Sequence, residues 1–191
     1  MTTIVAVKKG GTVAIAADTL TTFGDTRLPN HYKGQHDKII HIRDSYIGLC
    51  GSSAHHLVME SVLAKFEHLK LGSRTEVFES FRLLHPLLKE QCYLNHKEED
   101  DDPYESSQIT AIIANSTGIY GVYSYREVFE YARFWGIGSG RNFALGAMFG
   151  AYDRPKTTAA DVARIGVEAG AEFDTATSAP FVVHTVKLKK A

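Results

Sequence analysis

The first residues of the sequence, Met1-Thr2-Thr3, contain a candidate nucleophile. If Met1 is removed, Thr2 carries a hydroxyl and a free α-amine, so one residue supplies both a nucleophile and its base. An α-amine titrates near ~7.7–8.0 and a lysine amine near ~10.4, so the α-amine is the better base at neutral pH. A β-branched residue at the start of a strand often has no chemical role. The residue type alone therefore leaves both interpretations open.

Two hairpins are predicted in the elements that follow. The β-rich runs 3–9 and 12–18 are joined by Gly10-Gly11, which suits a tight turn with positive φ. Residues 38–42 and 46–50 predict the second hairpin. The segment from Thr19 to Asp37 is dense in turn formers and lacks a sustained period, so we predict a long surface excursion, a kind of loop that is often functional.

Two helices are predicted next. Apolar residues recur at three- and four-residue steps from Leu57 to Leu69, and Ser52 or Ser53 can cap this helix. Ser73-Arg74-Thr75-Glu76 has the spacing of a capping box for the second helix, which we expect to bend at Pro86.

The second half of the chain continues the alternation of strands and helices. The predicted strands cover residues 109–115, 119–123, 127–137 and 181–188. The predicted helices cover residues 139–149 and 158–169, and the latter starts with a capping box, Thr158-Ala159-Ala160-Asp161. Helix pairs and antiparallel sheets each bury one face only against another layer. The order predicts an α+β fold, a four-layer αββα sandwich with the sheets innermost, in one domain over residues 1–191.

Composition and charge exclude several classes of protein. The chain has 191 residues, 44% of them hydrophobic, which is enough for one well-buried core. Lys and Arg number 21 against 22 Asp and Glu, so we expect neither nucleic acid nor a membrane as a partner. Two cysteines, Cys50 and Cys92, fit a reducing compartment. No leader or membrane-spanning run is found, and we expect a cytoplasmic protein.

Other motifs give weaker signals. Gly136-Ile137-Gly138-Ser139-Gly140 is too closely spaced for a dinucleotide-binding loop, and no P-loop sequence occurs, so we expect ATP only through a partner. His55 and His56 would face different sides of a helix, which predicts surface or pocket-rim groups and not zinc ligands. The acidic residues 98–102 are most simply a solvated loop.

Five features, in order along nearly the whole chain, resemble the proteasome β-subunit and HslV group of N-terminal nucleophile hydrolases. They are the Met1-Thr2-Thr3-Ile4-Val5 start, Asp18 at the end of the first hairpin, Lys38 at the start of the second, Gly51 before the first helix, and the glycine turn at residues 136–140. Within this group the chain is similar to the small proteasome homologues of betaproteobacteria. The resemblance implies the N-terminal nucleophile hydrolase form of the sandwich.

The resemblance assigns catalytic roles to seven residues. They are the nucleophile Thr2, its charged partners Asp18 and Lys38, Gly51 as the oxyanion-hole amide, Ser139 near the threonine amine, and the supporting pair Asp174 and Thr177. A lysine ammonium beside the Thr2 hydroxyl stabilises the developing alkoxide and disfavours protonation of the α-amine. Without the resemblance, Asp18 and Lys38 would be a turn former and a sheet-edge charge. We also expect Ser139 to cap the next helix.

The resemblance also implies a substrate pocket. Leu49 forms its floor, Thr21 and Ser53 form its walls, and Thr22 is a further substrate-binding residue. An apolar floor favours a hydrophobic side chain at the P1 position of a substrate. Residues 52–56, Ser-Ser-Ala-His-His, depart from the glycine and acidic residues common in relatives, which would change the rim of the pocket.

The loop between Asp18 and Lys38 is longer than in relatives by a few residues. Lys38 is therefore aligned through Lys38-Ile39-Ile40 and not by its distance along the chain. Lys33 is the alternative for the same role.

The resemblance implies a threonine peptidase subunit that forms a homo-oligomeric stacked double ring and degrades unfolded polypeptide. An AAA+ unfoldase is a candidate partner. We expect no metal and no cofactor in the chain, apart from a candidate monovalent cation site near Asp174 to Thr177. Two alternatives stay open. One is an N-terminal nucleophile amidase that acts on a small amide, and the other is a non-catalytic or autoinhibited ring-forming homologue that retains Met1.

Overall fold

The computed structural model describes residues 2–34, 37–97, 99 and 101–189. The predicted removal of Met1 and two residues of the predicted acidic loop, Glu98 and Asp100, lie outside the described residues. The strands are β1 (Thr3–Lys9), β2 (Thr12–Asp18), β3 (Thr21–Phe23), β4 (Thr26–Leu28), β5 (Ile39–Ile42), β6 (Ser45–Cys50), β7 (Thr110–Asn115), β8 (Ile119–Val122), β9 (Val128–Glu130), β10 (Phe134–Gly138) and β11 (Phe181–Lys187). The helices are α1 (Ser53–Leu63), α2 (Arg74–Gln91), α3 (Arg141–Tyr152) and α4 (Ala159–Phe173).

The strands form two large antiparallel sheets that face each other. The first sheet has the order β10-β1-β2-β11, and the second has the order β5-β6-β7-β8-β9. The hairpin of β1 and β2 forms as predicted, and both glycines of its turn have positive φ, 59° for Gly10 and 74° for Gly11. Strand β1 lies between β10 and β2 and is antiparallel to both, so the first residue of β1 lies beside the last residues of β10 and β2.

Three buried clusters separate four layers. Ile4 and Ile15 of the first sheet pack against Ile112 of the second sheet. The opposite face of the first sheet packs on α3 and α4 through residues such as Val5 and Met148. Helices α1 and α2 cover the outer face of the second sheet, where the buried side chains are Ile47, Ile113, Met59, Leu63, Phe81 and Leu84. This arrangement confirms the predicted α+β sandwich with the sheets innermost.

The helix starts agree in part with the predicted caps. Thr158 and Asp161 form the full capping box of α4. Ser52, and not Ser53, caps α1. At α2, Ser73 Oγ accepts from the Glu76 amide, while the Glu76 carboxylate accepts from the amide of Gly72 and not from that of the N-cap residue Ser73. This box is therefore only half formed.

Three sequence predictions need correction. Helix α1 ends at Leu63, and Phe66 and Leu69 are buried in the loop beyond it. The strand predicted over 127–137 is two strands, β9 and β10, in different sheets. The predicted excursion from Thr19 to Asp37 contains the hairpin of β3 and β4 and a 3-10 turn at Asn30–Tyr32. Among the described residues, none of the helices combines the length and the apolar character needed to cross a membrane.

Candidate active site

The start of β1 is the point around which the candidate residues gather. Because β1 runs antiparallel to both neighbours, its first residues meet the ends of β2 and β10. Thr3 lies opposite Gly138, and Asp18 is the last residue of β2. The sheet therefore brings Asp18 and Ser139 to Thr2, although Ser139 is 137 positions away in sequence.

Asp18 is fully buried and its carboxylate is held by four groups. Oδ1 accepts from Lys38 Nζ at 2.8 Å and from the Thr3 amide at 3.0 Å. Oδ2 accepts from the Leu20 amide at 3.0 Å and from the Ser178 amide at 3.4 Å. A buried carboxylate is stable only with such partners. The side chain is thus fixed beside the start of β1.

Lys38 is the cation of this buried pair. It is 7% exposed and precedes β5 directly. Burial lowers the pKa of Lys38, and the Asp18 carboxylate opposes this effect. The alternative, Lys33, donates instead to the carbonyl of Thr19 and to Thr21 Oγ1. The geometry therefore places Lys38, and not Lys33, on Asp18.

A chain of hydrogen bonds lies on the other side of Thr2. The Thr2 backbone N–H donates to Ser139 Oγ at 3.2 Å, and Ser139 Oγ donates to Asp174 Oδ2 at 2.8 Å. Thr177 Oγ1 also donates to Asp174 Oδ2, at 2.6 Å, and contacts Thr3 Oγ1 at 2.8 Å. The chain connects the nitrogen of Thr2 to a carboxylate, which is the connection a proton route needs.

The predicted capping role of Ser139 is wrong. Gly140 is the N-cap residue of α3, and no side chain caps this helix. The Ser139 hydroxyl is already engaged with Thr2 and Asp174, so it is not available to the helix amides.

Two glycines around Thr2 have backbones that other residues rarely adopt. Gly51, between β6 and α1, has φ 116°, and Gly138 has φ 93°. A Cβ on Gly138 would lie 2.0 Å from the Thr2 carbonyl oxygen. Gly138 thus permits the close approach of β10 to Thr2, and Gly51 permits the turn that leads into α1.

Thr2 faces a cavity of about 260 Å³. Seven of the predicted site residues line it, namely Thr2, Thr21, Thr22, Lys38, Leu49, Gly51 and Ser53. The remaining four, Asp18, Ser139, Asp174 and Thr177, make the hydrogen bonds described above behind Thr2 and Lys38. Leu49 is 7% exposed and belongs to the core that packs on α1 and α2, so its position is fixed.

Four further residues line the same cavity. The sequence analysis expected Ser52 and His56 at the rim of the pocket, and it missed Leu20 and Cys50. Leu20, Cys50 and Ser52 are chain neighbours of predicted residues, and His56 lies one helical turn after Ser52. The His56 ring lies 3.7 Å from the Glu60 carboxylate. Burial raises the pKa of the Cys50 thiol to about 11, so Cys50 is protonated at neutral pH and does not compete as a nucleophile.

A larger cavity of about 900 Å³ lies between α2 and the turn that joins β8 and β9. It is lined by aromatic and arginine side chains, including Phe78, Tyr104 and Arg126. Neither a nucleophile with a base nor a buried ion pair lines it. The chemistry of the described residues therefore points to the smaller cavity at Thr2.

In the described part of the chain, no group of three or more His, Cys, Asp or Glu side chains is arranged to hold a metal ion. The monovalent cation site near Asp174 to Thr177 stays a prediction. Asp174 Oδ2 already accepts two hydroxyl hydrogen bonds there.

Comparison with known proteins gives a consistent result. Residues 1–183 match the family model described as proteasome subunit. No curated protein sequence is significantly similar to the chain. Two solved structures of BPH from Thiobacillus denitrificans, one in complex with epoxomicin, are 38% identical, with a TM-score of 0.92. The alignments cover 98% and 99% of this chain and 100% of each of those chains.

A more distant likeness concerns the fold alone. The eukaryotic HslV from Trypanosoma brucei is 19% identical, with a TM-score of 0.72. The alignment covers 97% of this chain and 99% of that chain.

Proposed function

Because the chain belongs to the proteasome subunit family, we propose that it is a threonine peptidase subunit in which Thr2 cleaves peptide bonds with its own α-amine as the base. One observation carries the proposal. Thr2, Lys38 and Gly51 line the same cavity, and Lys38 is held there by a 2.8 Å ion pair with the buried Asp18. A nucleophile, a cation and an oxyanion amide are the parts that acyl transfer requires.

The reaction follows from these positions once Met1 is removed. Thr2 Oγ attacks the peptide carbonyl carbon, and its proton passes to the Thr2 α-amine. The Gly51 amide stabilises the oxyanion, and a donor of this kind contributes on the order of 10²–10³ in rate. The C–N bond then breaks, and the leaving amine takes the proton from the Thr2 ammonium. Water hydrolyses the resulting ester and restores the hydroxyl.

Lys38 and the hydrogen-bond chain have separate tasks in this reaction. The Lys38 ammonium stabilises the alkoxide and lowers the pKa of the Thr2 amine, and Asp18 holds it in place. Ser139 contacts the Thr2 nitrogen, while Asp174 and Thr177 hold Ser139 in position. The amine is thereby kept oriented toward the hydroxyl.

We propose a hydrophobic preference at P1, because Leu20 and Leu49 are the apolar side chains that line the cavity. Thr21, Thr22 and Ser53 would form its polar rim. A panel of fluorogenic peptides varied at P1 tests this preference. Faster cleavage after acidic or basic residues than after leucine would overturn it.

We propose that the subunit assembles with its own copies into stacked rings in the cytoplasm, as members of this family do. Among the described residues, the helix layer of α3 and α4 exposes Phe143, Phe149 and Phe173 to solvent, which supports burial of this layer against another copy. Unfolded polypeptide would be the substrate, and ATP would act only through an AAA+ partner. Native mass spectrometry tests the assembly, and a monomer at micromolar concentration would contradict it.

The central test combines intact mass with covalent labelling by epoxomicin, the ligand of the similar Thiobacillus denitrificans protein. We expect the purified protein to lack Met1, to be labelled once per subunit, and to cleave peptides. The Thr2→Ala variant should fold and show neither labelling nor cleavage. Labelling that persists in this variant would remove Thr2 from the proposal.

Two other outcomes would select the alternatives. A protein that retains Met1 and is not labelled would be the non-catalytic or autoinhibited ring subunit. A labelled protein that hydrolyses small amides but no peptide would be an amidase.

A further inference from the structure

The segment between β4 and β5 contains a second lysine near the candidate site. We propose that Lys33 is a positioning residue of the threonine site, which holds the Thr19–Thr21 segment at the cavity rim and places a second positive charge on the residue that directly follows Asp18. This inference rests on the proposed function and names a residue that the reaction described above does not use.

The contacts of Lys33 define its mechanical role. Its ammonium donates to the carbonyl of Thr19, the residue directly after Asp18, and to Thr21 Oγ1 at 3.2 Å. Thr21 lines the Thr2 cavity. The Lys33 amide donates to the carbonyl of Asn30 at 3.0 Å and so ends the 3-10 turn. Lys33 therefore ties the long segment before β5 to the rim of the cavity.

The charges around Lys33 define its electrostatic role. Burial lowers the pKa of Lys33, while Asp18 and Asp37 raise it. The pKa of Lys38 is lowered first by burial and also by the charge of Lys33, while Asp18 and Asp174 raise it. Lys38 is thus paired directly with Asp18, while Lys33 acts on the same group of charges from the carbonyl of Thr19. Each ammonium disfavours protonation of other amines nearby.

The Thr2 α-amine, once exposed by removal of Met1, belongs to the cavity that Lys38 and the Lys33-bound Thr21 also line. A cation lowers the pKa of an amine because it destabilises the ammonium form. Loss of the Lys33 charge should therefore raise the pKa of the Thr2 amine and of Lys38. The base would then be free only at higher pH.

The first test is the pH profile of kcat/KM for three variants of the full chain. In Lys33→Gln we expect the acid limb to move up by about half to one pH unit. At pH values below the acid limb, kcat/KM should therefore fall by about 3- to 10-fold, and well above the acid limb it should change little. Lys33→Arg keeps the charge and should keep the limb, and Lys65→Gln removes an exposed lysine as a matched control.

A purely structural role predicts a different result. It would raise KM or lower kcat by the same factor at every pH and leave the limb in place. That outcome, together with an Lys33→Arg profile like that of Lys33→Gln, would overturn the inference.

A second measurement does not depend on activity. Competitive acetylation with acetic anhydride over a range of pH, read by peptide mass spectrometry, follows the titration of each lysine. We expect Lys38 to titrate at higher pH in Lys33→Gln than in the wild type. If the wild type cleaves no peptide and this shift appears, the proposed function fails, while the effect of the Lys33 charge on Lys38 is confirmed. If the wild type is active and neither Lys38 nor the acid limb shifts, the inference fails and the proposed function holds.

Discussion

The cavity at Thr2 has two sides that are held in different ways. The reactive side consists of Thr2, Asp18, Lys38, Ser139, Asp174 and Thr177. The pocket side consists of Thr21, Thr22, Gly51, Ser52, Ser53 and His56. The reactive side lies on strand ends and helix ends, where Asp18 and Asp174 accept several hydrogen bonds each. On the pocket side, Gly51, Ser52 and Ser53 are exposed.

Under the proposed function, this difference separates the residues that react from the residues that bind the substrate side chain. On the reactive side, the polar residues Thr2, Asp18, Lys38 and Thr177 are buried and depend on their hydrogen-bond partners, so a substitution among them should change both stability and rate. On the pocket side, exposed groups can change with little effect on folding. Under the proposed function, this arrangement would let substrate preference vary while the reacting groups stay in place.

The largest effect is expected from Lys38→Met. It leaves the Asp18 carboxylate buried without its cation, so the free energy of unfolding should fall by about 3–5 kcal/mol and peptidase activity should be lost. Urea unfolding and kcat/KM measure the two effects, with Lys65→Met as the control at an exposed site. Unchanged stability would mean that the ion pair does not hold the reactive side together.

A smaller loss of stability and activity is expected from Thr177→Val. The change keeps the shape but removes the hydroxyl that bonds Asp174 and Thr3, which costs about 1–3 kcal/mol for buried groups left unpaired. Thr177→Ser keeps the hydroxyl and should keep most of the stability and activity. If the two variants behave equally in urea unfolding and peptide cleavage, the Thr177 hydroxyl contributes to neither stability nor activity.

Ser53→Leu should affect the pocket side alone. Because Ser53 is exposed, the free energy of unfolding should change by no more than about 0.5 kcal/mol. KM should rise for substrates with a large P1 side chain while kcat stays nearly constant. The matched control is Ser61→Leu, an exposed position of α1 outside the cavity. A loss of kcat with unchanged KM would contradict the separation of the two sides.

The smallest effect is expected on the pH dependence of stability, from a change at His55. His55 lines a neighbouring cavity that shares Ser52 with the Thr2 cavity. Burial lowers the pKa of His55. The unfolded chain therefore binds a proton below about pH 6.5 that the folded protein does not, and stability falls as the pH drops through this value toward the folded pKa. In His55→Gln this part of the loss should be absent. Urea unfolding at pH 7, 6 and 5 checks it, with His31→Gln as the exposed control, and parallel curves for wild type and His55→Gln would contradict it.

Features fixed by local chemistry could be predicted from the sequence. The Gly10-Gly11 turn and the Thr158–Asp161 capping box need only neighbouring residues, and both are present. Phe66 and Leu69 show the limit of such patterns, because apolar spacing reports burial and does not report whether the backbone is helical.

The prediction of one strand over residues 127–137 was wrong for another reason. Periodicity cannot reveal where a chain leaves one sheet for the other. Here Tyr131 donates its amide to Ile119 of the second sheet and stacks its ring on Trp135 of the first sheet, with ring centroids 5.0 Å apart. This crossing depends on contacts between the layers, which a single sequence does not contain.

For the site, the resemblance supplied the residues and the structure supplied their arrangement. The choice between Lys33 and Lys38 needed three dimensions, because both lie in one segment and differ in which oxygen they reach. The expected place of His56 at the pocket rim agrees with the cavity lining, but its burial could not be predicted, since it depends on how α1 packs on the second sheet.

The residues around Thr2 come from widely separated parts of the chain, from β1 to the segment after α4. A nascent chain that has not yet produced Asp174 and Thr177 leaves Ser139 without its support, and Thr2 would remain unreactive at that stage. Under the proposed function, proteolysis would therefore begin only after synthesis and folding are nearly complete.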